Sequence, residues 1–216
     1  MKKLLIYCFI ISPFWLLAQV DSTQVKSNQQ GVLVGVDLFN PIVSAFSDKK
    51  GFEAMVAVPI KKRWNVVAEV GYEQNHFDNN NWDVDAKGIY ARAGVNWFVS
   101  QDNTNPNMGY YFGGRIGFSP FQQTINKYVI QGVDMPNVEG SLPQHNASAA
   151  WLEPLAGGRV QVFNTPFYVD ANVRLKIKLF DTNEEDLTPL IIPGFGTNNN
   201  GLNFGVNWSL GYVFSF

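Results

Sequence analysis

Residues 202–216 restrict what this chain can fold into more than any other stretch. Every second side chain there is apolar or aromatic: Leu202, Phe204, Val206, Trp208, Leu210, Tyr212, Phe214 and Phe216. Between them stand Asn203, Gly205, Asn207, Ser209, Gly211, Val213 and Ser215, small or polar apart from Val213. Successive side chains of a strand point to opposite faces, so this spacing specifies a β-strand with one bulky face and one small, polar face.

Seven further segments repeat the alternation, over 31–39, 52–60, 64–75, 87–99, 108–118, 150–162 and 167–179. The clearest puts Phe167, Val169, Ala171, Val173, Leu175, Ile177 and Leu179 on one face. Most are about as long as the 9–11 residues a tilted membrane strand requires. The connections alternate too. Those at 61–63, 101–107 and 164–166 are short, and those at 40–51, 76–86, 119–149 and 181–200 are long. Short turns at one end and long loops at the other are the pattern of a transmembrane barrel. The expected fold is therefore all-β, an eight-stranded antiparallel up-and-down transmembrane β-barrel over 31–216. Residues 124–133 could extend a hairpin or add strands, which leaves ten strands as the alternative.

The outward surface decides between this and a soluble sandwich. Charged residues are only 16% of the chain, against about 25% in an ordinary soluble domain. The charges also fall on the face opposite the apolar set. Six acids lie there, Asp37, Glu53, Glu69, Glu73, Glu153 and Asp170, with six bases, Arg92, Arg115, Arg159, Arg174, Lys176 and Lys178. The rest of that face is largely Gly, Asn and Tyr. The lumen of an eight-stranded barrel is just wide enough for side chains, so small residues beside a few long ones fit it. Six against six suggests a salt-bridged plug, since buried charges must be paired. A selective ion path is the other reading. Arg174, Lys176 and Lys178 follow one another at two-residue spacing, so the expected network joins them to Glu153 and to at least one of Glu53, Glu69 and Glu73.

Aromatics fall in two bands, as barrel girdles do. Trp64, Trp97, Phe112, Phe167, Phe214 and Phe216 mark the short-turn end, and Phe39, Phe52, Tyr72, Phe118 and Phe204 the long-loop end. At the N-terminus, Lys2 and Lys3 precede an apolar run over 4–17 and the small residue Ala18, which reads as a signal peptide over 1–18 with Leu16 at the −3 position. Residues 19–30 read as a flexible polar lead-in. The one cysteine, Cys8, falls inside the signal, so no disulfide or thiol chemistry is expected of the mature chain. Without Lys2 and Lys3, fourteen basic residues face eighteen acidic ones, and no basic excess suggests nucleic acid.

Motifs for chemistry are sparse. No P-loop, dinucleotide fingerprint or G-x-S-x-G occurs. The two histidines, His76 and His145, lie in expected outer loops without a second ligand at metal spacing, so neither a metal nor a cofactor is expected. The outer loops carry ten acids against Lys49, Lys50 and Lys127, a face that could hold divalent cations or a cationic partner, and that is more often simply solvated.

The final strand, with Trp208, Leu210, Tyr212, Phe214 and a terminal Phe216, resembles the assembly signal of bacterial outer-membrane barrels. From signal peptide to last residue the chain resembles small barrels of the OmpA/OmpX/OmpW type, and more narrowly an uncharacterised family of such proteins found in Bacteroidota. The resemblance implies secretion to a Gram-negative outer membrane, with membrane lipid and the barrel-assembly machinery as partners. It carries over no functional residue. Three functions follow as expectations: a structural or interaction barrel meeting an extracellular partner through loops 119–149 and 181–200; a narrow, porin-like solute channel; or a lipid A-modifying enzyme using His76 and Ser148.

Overall fold

The computed structural model describes residues 31–44, 49–79, 81–102, 105–130, 137–183, 188–198 and 200–215. The expected signal peptide, the lead-in and Phe216 lie outside them. Gly31–Asp37 forms β1 and Phe39–Ser44 a short helix, α1. Then come β2 (Lys50–Lys61), β3 (Trp64–Asp78), β4 (Trp82–Gln101), β5 (Gly109–Ile130), β6 (Val138–Gln161) and β7 (Phe167–Asn183). Two short strands, β8 (Ile191–Ile192) and β9 (Gly196–Thr197), precede the last, β10 (Leu202–Ser215).

Eight of these strands close a barrel in the order β1-β10-β7-β6-β5-β4-β3-β2. Neighbours run antiparallel, and β10 seals the wall by pairing Gly31 with Ser215 through Asp37 with Ser209. Strands β8 and β9 pair only with each other, so the ten-stranded wall does not form. Residues 124–130 continue β5, which extends the β5–β6 hairpin.

Side-chain parity follows the alternation. Val34, Val36, Phe52, Val70, Ile89, Phe112, Ile116, Val173 and Phe204 all point outward and are exposed, Phe204 by 82%. Cross-strand neighbours join the aromatics into bands. Trp64 faces Trp97 with ring centroids 6.4 Å apart, Phe52 stacks on Tyr72 at 6.3 Å, and Tyr212 meets Phe167 at 5.3 Å. The inner face carries the charges and small residues. A β-carbon at Gly71 would run into the Tyr90 ring, and one at Gly117 into Trp151. These glycines make room for large lumenal neighbours, which is why so many stand on the polar face.

Three departures from the sequence reading matter for the site. Strand β1 stops at Asp37, not at 39, because the Asp37 carboxylate accepts hydrogen bonds from the backbone N–H of Phe39 (3.1 Å) and Asn40 (2.8 Å) and starts α1. Side-chain capping of this kind ends a strand and begins a helix in one step. Phe39 consequently leaves the outer aromatic band. Strands β4, β5 and β6 are 20, 22 and 24 residues long, well beyond their apolar stretches, so one side of the barrel stands taller at the long-loop end. Lastly, residues 188–198 do not stand out in solvent; they fold back into the barrel mouth.

Candidate functional site

The lumen is filled in three layers, each set by the register of the wall. At the short-turn end Leu33, Met55, Ala57, Val67, Tyr168 and Val213 form a buried apolar cluster. Val213, the one apolar residue on the small face of the last strand, belongs to it. Just above, Arg159 and Asp170 are direct partners across β6 and β7, joined at 2.8 Å. The Tyr111 hydroxyl donates to the same carboxylate at 2.5 Å.

The middle layer is ionic. Glu69 and Arg92 are cross-strand partners on β3 and β4, with Arg92 Nε 3.0 Å from Glu69 Oε2. Glu69 also receives Arg115 Nε at 3.3 Å and Arg174 Nη1 at 2.9 Å. Arg92 extends one guanidinium nitrogen to Glu53 and another to Glu153, the latter at 3.4 Å. Glu153 accepts from Arg174 Nη1 at 2.9 Å and from the Trp151 indole at 2.6 Å, and Tyr90 donates to Glu53 at 2.6 Å. Three arginines on three strands thus interlock with three glutamates on three others, all buried. Multiple charge-assisted bonds to each ion are what make such burial tolerable.

The upper layer is the folded-back segment, here called the plug. Ile192 and Phe195 are buried against Tyr90, Phe121, Ala147, Ala149 and Trp151. Phe195 meets Trp151 edge-on at 5.9 Å. The tip turns at Gly194 (φ 78°) and Gly196 (φ 104°), left-handed conformations that glycine adopts without steric cost. Gly194 lies flat on the Tyr90 ring, with no room for a β-carbon. Its N–H donates to Glu73 Oε2 at 3.0 Å, and its carbonyl and that of Phe195 accept from Lys176 Nζ at 2.6 and 3.2 Å.

The plug changes the partners expected for two bases. Arg174 bonds to Glu69 and Glu153. Lys176 instead engages the plug's carbonyls, and Lys178 turns to Asp181 at the rim, 2.8 Å away. Among the described residues neither lysine has a glutamate within 4.0 Å, because the plug's carbonyls take up Lys176 and Asp181 takes up Lys178. Glu73 pairs with Lys49, a loop residue by sequence, at 2.9 Å. Asp37 caps α1 and accepts from Asn207 Nδ2 at 3.1 Å. Trp208, Leu210, Tyr212 and Phe214 lie along β10, with Tyr212 and Phe214 exposed.

His76 and Ser148 are not brought together. The His76 ring bonds to Asp85 across β3 and β4 at 2.9 Å, whereas Ser148 bonds to Thr182 across β6 and β7 at 2.7 Å. His76 lies four residues past Tyr72, beyond the outward apolar run of β3. The Asp85 carboxylate raises the histidine's pKa above its ordinary value, while a hydrogen bond from Asn126 and the contact with His76 lower that of Asp85. His76, Asp83 and Asp85 place potential ligand atoms within 4.8 Å of one another, a grouping the sequence separated by a loop. All three already join one hydrogen-bonded surface group through Asn126.

A family model described as a domain of unknown function, DUF6048, matches residues 1–216. The chain belongs to this family. No curated protein matches it. Among solved structures, the crystal structure of Ail, the attachment invasion locus protein of Yersinia pestis, is similar at 12% identity and a TM-score of 0.41, with 87% of this chain and 99% of that chain covered.

Proposed function

We propose that this DUF6048 chain is an outer-membrane β-barrel with a shut lumen, acting by recognition at its long-loop end and not by transport. The observation that carries the reading is the inverted distribution of side chains. Apolar residues cover the outside of the closed wall, and charges are buried within it. Water would leave that outer band uncovered, whereas a bilayer core covers it, and closure leaves no unpaired strand edge among lipid. Three successive layers of side chains, apolar, ionic and apolar, argue against conduction. The surface offered for recognition is the tall side, where residues 119–130 of β5 and 138–149 of β6 extend past the opposite wall. The rim around 181–183 adjoins it.

A narrow channel is the second reading. It is favoured by one feature, a cleft beside the plug that runs from the mouth to Arg92 and Arg174. Two measurements test the proposal. Fractionation should recover the mature chain with the outer membrane, and recovery as a soluble protein would overturn the membrane reading. Planar bilayers containing the purified barrel should stay silent, whereas steady unitary currents from the native protein would make it a channel.

A further inference from the structure

The cleft beside the plug is a cavity of about 510 Å³. The plug packs its apolar side on β4, β5 and β6, so the cavity opens on the opposite side, toward β10, β1, β2 and β3. It holds the two exceptions to charge pairing in the lumen. Glu53, Glu69, Glu73, Glu153 and Asp170 each have a base within 4.0 Å. Arg92, Arg115, Arg159 and Arg174 each have an acid. Among the described residues Asp37 has no base within 4.0 Å and Lys176 no acid. Asp37 accepts from neutral donors, the N–H groups of Phe39, Asn40 and Trp208 and the Asn207 amide, and from no base within 4.0 Å among the described residues. Lys176 donates only to the carbonyls of Gly194 and Phe195, and one of its three protons has no acceptor among the described residues. Both residues line the same cavity.

We propose that this vestibule binds a small zwitterion about the size of a dipeptide, with its ammonium on Asp37 and its carboxylate on Lys176. An unpaired carboxylate and an unpaired ammonium facing one cavity are each costly, and one dipolar ligand satisfies both. The spacing fits. Asp37 touches Asn207, a methyl at Gly205 would lie 3.4 Å from Lys176 Nζ, and Gly205 and Asn207 are same-face neighbours about 7 Å apart along β10. A dipeptide lying alongside β10 has its termini about that far apart, one beside each charge. Net charge points the same way. The rim acids Asp78, Asp83, Asp85 and Asp181 repel an anion, and the Lys176 ammonium, which has no acid within 4.0 Å among the described residues, repels a cation. A neutral dipole meets neither barrier. The Asn40 and Asn207 amides, also in the lining, suit a peptide group between the charges.

This inference goes beyond the recognition reading and does not depend on a partner at the tall hairpin. Calorimetry on the purified barrel in detergent tests it with three probes: glycylglycine, N-acetylglycylglycine without the ammonium, and glycylglycinamide without the carboxylate. Glycylglycine should bind, and each blocked form should bind at least about tenfold more weakly. Asp37→Asn keeps a helix-capping side chain and should make glycylglycine and its N-acetyl form equivalent. Lys176→Gln keeps a donor for the plug and should make glycylglycine and its amide equivalent. Lys178→Gln, at the rim, should change nothing. Heat-modifiable gel mobility reports whether each variant folds, and the three probes on the native protein decide the matter even if one does not. Equal affinity for all three probes, no detectable binding of glycylglycine, or a preference for the zwitterion that survives both substitutions would overturn the proposal.

Discussion

The middle of the lumen and its mouth solve the same problem, how to fill a narrow polar tube, in opposite ways. In the middle every group comes from the wall, and each ion is held by two or three partners at once, as Glu69 is by Arg92, Arg115 and Arg174. At the mouth the filling comes from a loop, held by one apolar cluster and a few single hydrogen bonds to Glu73, Lys176 and Gln123. The middle cannot change without breaking the wall's own ion pairs. The plug takes no part in the wall's strand pairing, so the barrel closes without it. Filling built into the wall and filling added to it are thus divided between strand and loop.

The largest effect that would break this contrast is expected at Glu69. Glu69→Ala leaves three buried guanidinium groups short of a partner and should cost about 3–5 kcal/mol. Urea unfolding of the barrel in lipid vesicles reads it, and a loss under about 1 kcal/mol would show the ionic layer to be filler. A smaller effect is expected at the plug. Gly194→Ala forces a left-handed residue, costing about 1–2 kcal/mol, and sets a methyl against the Tyr90 ring. The plug should loosen while the wall stays folded, so protease should cut between 190 and 198 faster with the circular dichroism unchanged. Global unfolding in this variant would mean that plug and wall are one cooperative unit.

The smallest effect sharpens the comparison from outside both regions. The bond to Asp85 raises the His76 pKa, so the stabilisation it gives the β3–β4 hairpin is complete below the ordinary value of 6.5 and fades as pH rises through the folded-state value. NMR titration of the His76 ring should show that elevation, and Asp85→Asn should reduce it. Unchanged titration in the variant would assign the shift to the more general acidity of the rim.

What the sequence discloses follows the same division. Wall parity can be read residue by residue, because one face must be apolar and the other must hold charge. Strand ends above the apolar band cannot. Past Ile89 toward the mouth the alternation of β4 inverts: Lys87, Asp85 and Asp83 point outward while Ala86 and Val84 are buried inside, so the apolar-out parity that marks the rest of the wall gives no guide there. The plug was hidden for another reason. Residues 188–198 have no period, and their prolines and glycines look like a loop. Leu190, Ile191, Ile192 and Phe195 are nonetheless too apolar for a solvated tip, and that was the available signal. Sequence could place Lys176 on the inner face, but not see that a backbone carbonyl would reach it before a carboxylate did.

The register of the ionic layer also bears on how the barrel is made. Glu69 lies opposite Arg92 in the β3–β4 hairpin, and Arg159 opposite Asp170 in the β6–β7 hairpin. Within each of these hairpins an acid and a base are therefore paired by neighbouring strands alone, with no need of the closed ring. The contacts of Arg174 with Glu69 and of Arg92 with Glu153 join strands that are not neighbours, so they exist only once the cylinder has closed. Local pairs thus belong to single hairpins, and the cross-lumen pairs act as a lock that only the completed ring can turn.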